Sequence, residues 1–431
     1  MANDARRAAE RAVRESYGRI LAFLSVRSRD LAAAEDALAE AFQSALETWP
    51  LAGVPREPEA WLLTAARRRL IDQMRHERVH EQAAPSLIVA AEEAQEMAHD
   101  SSGFPDERLK LLFVCAHPGI DPMARTPLML QTVLGLDAAR IAAAFLVRPT
   151  TMGQRLSRAK TKIRDAGIPF EVPGASDLPK RVDAVAEAIY AAYGSGWEDV
   201  AGLDPRRTGL SREALDLGRL LARLMPGEPE VLGLVALMLH SEARREARRD
   251  AAGAYVPLSS QDPSRWSRPM MEEAESCLRE AAAGGRVGRF QLEAAIQSAH
   301  ADRLRSGKTD WETIALLYEG LLALVPTMGA SVGRAAAVAE ARGPHVGWDL
   351  LEAVPRAEAA SYQPYWAVAA HLLTRLGRRA EARGAYDLAI GLCEDPAMRD
   401  WLRRQALAVA NGEVRQREQE DVSDARPPKP I

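Results

Sequence analysis

Apolar side chains recur at three- and four-residue steps along nearly the whole 431-residue chain. Leu31, Leu38 and Phe42 show this spacing, which is typical of one face of a helix. No segment alternates apolar and polar residues over the length of a strand with the β-branched residues that sheets favour. Ala, Arg, Leu and Glu are frequent in every segment, whereas aromatic residues make up only 5% of the chain. The sequence therefore predicts an all-α fold.

Clusters of proline and glycine divide the chain, which is too long for one compact core. We expect a helical bundle over 1–80, an acidic linker over 81–106 and a helix-turn-helix domain over 107–170. The linker contains six acidic residues and no lysine or arginine. A helical extension is expected over 171–411, and the polar tail 412–431 is expected to be disordered.

Charge and cysteine content limit the class of protein. The formal net charge is −4, which excludes a uniformly basic nucleic-acid coat but not a local basic patch. Cys115, Cys277 and Cys393 form no Cys-x-x-Cys pair, so neither a disulfide framework nor a zinc knuckle is expected. The N-terminus lacks the apolar core of a signal peptide, and the longest apolar run, Val231–Leu239, is too short to span a bilayer. We expect a cytoplasmic protein without membrane contact.

The strongest local signal for DNA binding lies in ARIAAAFLVRPTTMGQRLSRAKTKIR, residues 139–164. A short helix, a tight break before Pro149 and a second helix have the spacing of a helix-turn-helix, and Thr150 is predicted to cap the second helix. Ala142 is the small residue expected where the two helices approach closely, and the residues of the second helix that are expected to face inward are Met152, Leu156 and Ile163. Arg140 to Arg164 includes seven basic residues and no acidic one, so the rest of the chain has a net charge of −11. A solvated basic surface is the alternative interpretation. The candidate DNA-binding residues are Arg148, Thr150, Thr151, Gln154, Arg155, Arg158, Lys160 and Lys162, because such side chains bind base edges and phosphates.

A second basic helix is predicted over AWLLTAARRRLIDQMRHER, residues 60–78. Trp61, Leu62, Ala66 and Leu70 fall on one face, so we expect them in a core rather than in a base-stacking platform. Arginines occupy the other face and are further candidates for DNA contact: Arg67, Arg68, Arg69, Arg75 and Arg78.

A weak repeat marks the C-terminal half. The same pattern begins at Ala214 and at Ile314: an Ala or Ile is followed, at the same steps, by a Gly or Tyr, a Leu and a Pro. A third copy begins at Ala382. The last two starts lie two 34-residue periods apart, which is the length of the tetratricopeptide repeat. An irregular bundle of helices fits the same residues, and both readings predict stacked helix pairs.

No catalytic signature stands out in the sequence. The eight histidines are scattered, and no His-Glu-x-x-His or Gly-x-Ser-x-Gly motif occurs. The glycine-rich stretch 284–288 follows a predicted helix instead of a strand, which argues against a phosphate-binding loop. We therefore expect neither an enzyme, nor a metal site, nor a cofactor.

Several motifs together resemble a known family. DLAAAEDALAEAFQSALETWP and AWLLTAARRRLIDQMR resemble region 2 of bacterial RNA polymerase sigma factors, and the helix-turn-helix segment resembles region 4. The short linker between them is similar to that of the extracytoplasmic-function group. FVCAHPGIDP, EVLGLVALMLH, QDPSRW, TDWETIALLY and RLGRRAEARGAY resemble the subgroup with a long tetratricopeptide-like extension, whereas YAAYGSGWED departs from that subgroup's usual sequence.

The resemblance implies a function and partners. Region 2 would bind the β′ clamp of core RNA polymerase and melt the −10 element, and region 4 would bind the β flap and read the −35 element of promoter DNA. The acidic linker would run towards the polymerase cleft, either as a mimic of a nucleic-acid backbone or as an ordinary tether. The segment expected to face the clamp contains Asp30, Glu35, Asp36, Glu40, Phe42 and Gln43.

The resemblance also implies a role for the extension. It would contact the sigma core or polymerase, would be needed for full transcription, and would replace a separate anti-sigma protein. Two other classes stay open on sequence alone. One is a helix-turn-helix regulator with a tetratricopeptide sensor domain that works without polymerase, and the other is a helical scaffold whose basic helix is incidental.

Overall fold

The computed structural model describes residues 16–79, 106–145, 147–197 and 210–411. Over these ranges the chain is built from helices and contains no strand, only an isolated bridge between Arg249 and Tyr255. The predicted all-α fold is therefore confirmed. Nearly all of the predicted acidic linker and the whole predicted tail lie outside the described residues.

The described residues divide into two compact units, 16–197 with 210–224 and 225–411. The division does not coincide with the boundary expected at residue 171. The first two helices of the predicted extension pack into the N-terminal unit instead. No helix in the described ranges is long and apolar enough to cross a membrane.

The N-terminal unit begins with a helix over 16–28, which we call α1. The helices that follow are α2 (Leu31–Ala52), α3 (Pro58–Val79), α4 (Arg108–Cys115), α5 (Pro122–Leu134), α6 (Ala138–Ala144), α7 (Pro149–Asp165), α8 (Leu178–Trp197) and α9 (Leu210–Leu224). Their ends follow local chemistry. Asp121 caps α5 through a bond from the Met123 amide, and Gly135 ends it in the left-handed conformation at φ 70°.

The C-terminal unit is a series of packed neighbouring helices. Those longer than four residues are α10 (Pro229–Ala243), α11 (Arg268–Ala283), α12 (Arg289–Ala301), α13 (Trp311–Leu324), α14 (Met328–Arg342), α15 (Pro344–Glu352), α16 (Gln363–Arg375), α17 (Arg379–Leu392) and α18 (Pro396–Asn411). The predicted apolar run Val231–Leu239 lies in α10 and is buried along its whole length, between α11 and α12.

Two copies of the weak repeat lie in this unit and one does not. Ile314 and Ala382 are buried in α13 and α17, while Ala214 is buried in α9 of the N-terminal unit. The tetratricopeptide likeness stays a prediction.

A long segment without α-helix, 244–267, separates α10 from α11. Two arginines hold its backbone by donating to main-chain carbonyl oxygens. Arg265 donates to Arg249 and Glu246 at 2.9 and 2.7 Å, and Arg303 donates to Ser259 and Gln261 at 2.9 and 3.0 Å. We call this segment the strap.

Candidate DNA- and polymerase-binding surfaces

The two helices of the predicted helix-turn-helix meet at a tight turn. Asp137 caps α6 by accepting a hydrogen bond from the Arg140 amide at 2.8 Å, and the Val147 amide donates to the Ala142 carbonyl oxygen at 2.9 Å. Ile141 and Ala142 are fully buried beside α7. The small residue at position 142 therefore lies where the two helices pack, as the sequence predicted.

Helix α7 has one buried face, formed by Met152, Leu156, Ala159 and Ile163. Three of these, Met152, Leu156 and Ile163, were predicted to face inward, and the structure confirms them. The predicted cap at Thr150 is wrong. The helix already begins at Pro149, whose fixed φ suits a first turn, so Arg148 takes the cap position and Thr150 lies inside the first turn without capping it.

The opposite face of α7 is exposed and basic. Of the eight predicted DNA-binding residues of this segment, six are exposed: Arg148, Thr150, Thr151, Gln154, Arg158 and Lys162. Arg155 is half-buried and donates to the Met123 carbonyl oxygen at 3.4 Å. Side chains with several N–H donors on an exposed helix face can reach base edges and phosphates.

Lys160 is the exception on this helix. Its ammonium forms an ion pair with Glu35 of α2, and only 11% of its side chain is exposed. A residue predicted to bind DNA is thus joined to a residue predicted to bind polymerase. Sequence reasoning missed this contact because the two residues lie 125 positions apart.

Helix α3 packs on α2 through its apolar stripe. Leu62, Ala66 and Leu70 are buried, and Trp61 meets Trp49 edge to face with ring centroids 5.5 Å apart. Trp61 itself is half-buried and packs against the buried Trp49 ring.

The predicted DNA-binding arginines of α3 differ from one another. Arg68 is exposed, and Arg67 is half-buried with its pKa lowered by that burial. Arg69 donates to the Ser44 hydroxyl at 2.6 Å and lies 3.4 Å from a Glu40 oxygen, so it is held against α2. Arg75 and Arg78 lie on α3, but their side chains are outside the described residues.

Apart from Asp30, the predicted polymerase-binding residues separate into two groups on α2. Asp36, Glu40 and Gln43 are exposed on one face of the helix. Asp30 instead caps α2, since its carboxylate accepts from the Ala32 and Ala33 amides at 2.9 and 3.1 Å.

The second group faces inward. Glu35 accepts from the Tyr17 hydroxyl at 3.4 Å in addition to its ion pair. Phe42 is half-buried and stacks on the Tyr17 ring at 6.4 Å between centroids.

Helices α8 and α9 cover the helix-turn-helix side of the N-terminal unit. The Thr126 hydroxyl donates to the Ala188 carbonyl oxygen at 2.7 Å, and Arg181 donates to the Phe113 carbonyl oxygen. Arg140 of α6 pairs with Glu213 of α9 at 2.6 Å. The sequence did not indicate that these two helices complete the domain that holds α7.

The described residues contain no group of three or more His, Cys, Asp or Glu that could hold a metal ion. Cys115 and Cys393 are buried, whereas Cys277 is only half-buried. Burial raises the pKa of Cys115 to about 12, which keeps this thiol protonated and unreactive.

Comparisons with known proteins identify two family matches within the chain and one relative along most of its length. Residues 12–79 match sigma-70 region 2, the part that forms α1 to α3. Residues 181–282 match a family of unknown function, DUF6596, which begins in α8 and ends in α11. An uncharacterized protein of Rhizobium meliloti is 40% identical over 382 residues, which is 88% of this chain and 90% of that protein. No solved structure matches the chain.

Proposed function

We propose that this chain is a sigma factor of the extracytoplasmic-function group with a regulatory helical extension. The chain belongs to one family with the Rhizobium meliloti protein and contains a sigma-70 region 2. The region 2 match over residues 12–79 supports a sigma factor that binds RNA polymerase for transcription initiation. The group, the DNA elements and the role of the extension are our proposal.

We propose that α2 binds the β′ clamp through its exposed face. Asp36, Glu40 and Gln43 lie on successive turns of that face and offer carboxylate and amide groups to a basic partner. Arg68 of α3 is exposed and would meet the −10 strand.

We propose that α7 reads the −35 element, and its exposed basic face carries this proposal. The buried face fixes the helix on the domain, so Gln154, Arg158 and their neighbours point outward from a rigid base. Gln and Arg can form paired hydrogen bonds with adenine and guanine edges, while Lys162 suits a phosphate.

We also propose that the C-terminal unit regulates the sigma core or polymerase from within the same chain. Covalent linkage gives even a weak contact a high effective concentration, so a separate anti-sigma protein would not be needed. The protein would act in the cytoplasm and would not be an enzyme.

The test is reconstitution of core RNA polymerase with this chain, followed by run-off transcription from a promoter library. Specific initiation is the expected result. If the chain fails to bind core enzyme at low salt, the sigma assignment is wrong. Specific operator binding without polymerase at physiological salt would instead favour the polymerase-independent regulator.

Variants of α7 test the assignment to the −35 element. Gln154→Ala should relax selection at particular positions by about 1–3 kcal/mol if its contact is bidentate. Lys162→Ala should weaken binding to all sequences alike and reduce the slope of log affinity against log salt by about 0.9. Lys180→Ala removes the same charge from an exposed site on α8 and should change neither. Equal effects of Gln154→Ala and Lys162→Ala at every promoter position would contradict the assignment.

A further inference from the structure

Helix α9 is attached to the first helix of the helix-turn-helix by an ion pair. Arg140 of α6 donates to Glu213 in the first turn of α9 at 2.6 Å, although the two residues lie 73 positions apart in the sequence. The Arg140 side chain is 53% exposed and the Glu213 side chain is 23% exposed. The contact between the two helices therefore lies at the surface of the N-terminal unit.

The buried face of α9 fixes the helix in this position. Ala214, Leu217 and Leu221 are fully buried. Burial of such side chains stabilises the packing of a helix by more than a partly exposed ion pair does. The exposed residues in the first turn of α9 are thus held in a fixed position relative to α6.

Arg212 is an exposed cation in that first turn, next to Glu213 in the sequence. Burial, and to a lesser extent Asp216, raises the pKa of Glu213, whereas the nearby charges of Arg140 and Arg212 lower it. Asp216 has a partner of its own, because it lies 3.9 Å from Arg219. Since Glu213 neutralises Arg140, the positive charge available to an anion at this edge is that of Arg212.

The geometry of a helix-turn-helix on DNA brings this edge to the backbone. Its first helix crosses the DNA backbone when its second helix lies in the major groove. With α7 in the groove, α6 passes over the phosphates and carries α9 with it. Duplex DNA has one phosphate charge about every 1.7 Å along its axis, so a cation beside α6 has a phosphate within reach.

We propose that α9 is a third DNA-binding element of the N-terminal unit and that Arg212 binds a backbone phosphate beside the −35 element. This inference rests on the proposed function, because it requires α7 to read that element. It gives a role to part of residues 181–282, which match a family of unknown function. Phosphate contacts carry no sequence information, so α9 should add affinity without adding selectivity.

The first test measures the salt dependence of binding to −35 DNA by the full-length chain reconstituted with core polymerase. Arg212→Gln removes one phosphate contact, so the slope of log affinity against log salt should become shallower by about 0.9. The wild type should therefore lose about 3.5-fold more affinity than this variant between 50 and 200 mM salt. Arg212→Lys keeps the charge and should retain the slope of the wild type.

Arg223 provides a matched control on the same helix. It is exposed on the same face, three turns further along α9 and roughly 16 Å from Arg212 along the helix axis. Arg223→Gln makes the same charge change and should leave the slope unchanged. The double variant Arg140→Gln with Glu213→Gln keeps the net charge and should also leave the slope unchanged, because the buried face still holds α9.

The second test locates the phosphate. Phosphates around the −35 element are replaced one at a time by neutral methylphosphonates. At one position the wild type should lose affinity and Arg212→Gln should lose none, because its contact is already absent. Arg223→Gln should respond there as the wild type does. Gln154→Ala should keep the same sensitivity to this phosphate while it relaxes the selection of bases.

The outcomes separate this inference from the proposed function. Equal changes of slope in Arg212→Gln and Arg223→Gln would indicate a general effect of net charge and would contradict the Arg212 contact. The contact is also wrong if Arg212→Gln responds to every methylphosphonate as the wild type does. If Gln154→Ala relaxes selection while Arg212→Gln binds like the wild type, only the role of α9 is wrong. If the reconstituted chain binds no promoter DNA specifically, the proposed function is wrong, and this inference with it.

Discussion

Each unit of the molecule contains an enclosed ion pair between residues far apart in sequence. The two pairs differ in the other contacts and predicted partners of their residues. Glu35 and Lys160 are 125 positions apart in the N-terminal unit, and Arg249 and Asp395 are 146 positions apart in the C-terminal unit. Their exposure is similar, at 19% and 11% against 14% and 14%. Distance and burial alone therefore do not separate them.

The other contacts of the second pair stabilise the fold of the C-terminal unit. Asp395 also caps α18, accepting from the Ala397 and Met398 amides at 2.9 and 3.2 Å. Arg249 lies over the Tyr255 ring at 6.0 Å, and that ring meets Trp401 edge to face at 5.8 Å. The pair joins the strap to the start of α18. The two pairs therefore differ in their surroundings, because Glu35 and Lys160 lie on helices that are proposed to bind polymerase and DNA, whereas Arg249 and Asp395 connect two parts of one unit.

The largest expected effect tests where the two units divide. Truncation after Leu224 should leave a folded N-terminal unit that still binds −35 DNA. Truncation after Pro173 removes α8, whose Val182, Val185 and Ile189 are fully buried, and together such side chains stabilise a fold by roughly 5–9 kcal/mol. We expect this shorter chain to lose cooperative unfolding and −35 binding, as measured by urea denaturation and fluorescence anisotropy.

The same two truncations also separate a folding effect from regulation. If only the shorter one impairs transcription, the C-terminal unit does not regulate the sigma core. If both chains unfold alike and bind −35 DNA equally well, α8 is not part of the domain that holds α7.

The next effect concerns the Arg249–Asp395 pair. Asp395→Ala leaves Arg249 without its carboxylate and α18 without its cap, so we expect the free energy of unfolding of the C-terminal unit to fall by about 3–5 kcal/mol. Asp395→Asn retains an acceptor for the cap and should cost less. Hydrogen exchange of the amides of α18 measures both. Equal protection in the two variants and the wild type would mean that this pair does not hold the strap.

The smallest effect uses pH to distinguish the units. His300 is half-buried in α12, with its ring edge-on to Trp311 at 5.3 Å. Burial, followed by Arg244 and Arg303, lowers its pKa to about 4. The neutral form is favoured in the folded state, so its full contribution is present above pH 6.5 and is lost as the pH falls from there towards 4. We expect a loss of about 1–2 kcal/mol at pH 5 in the C-terminal unit.

A pair of variants checks this pH dependence. His300→Gln should flatten the decline in stability between pH 7 and pH 4.5, as measured by urea unfolding at each pH. His345→Gln, at an exposed site in the same unit, should leave the decline as it is in the wild type. Parallel profiles for all three proteins would contradict the assignment to His300.

The sequence predicted what depends on neighbours along the chain. Helical spacing identified the buried face of α7 and the stripe of α3, because residues three and four apart share a face of a helix. It could not predict the Glu35–Lys160 contact or the bond from Thr126 to Ala188, since those depend on how distant helices pack. Asp30 illustrates a further limit. A carboxylate before an apolar run suits both a helix cap and a binding surface, and only the structure shows it capping α2.

The strap has a consequence for how this family can change in evolution. Arg265 and Arg303 bind main-chain carbonyl oxygens, which every amino acid provides, and not particular side chains. The path of the strap is therefore largely independent of the residues whose carbonyls are bound. Mutations at Glu246 or Ser259 can accumulate at little cost, whereas the two arginines cannot be exchanged for lysine without losing a donor from each fork. Relatives can thus acquire new surface chemistry on this segment while its course through the unit stays the same.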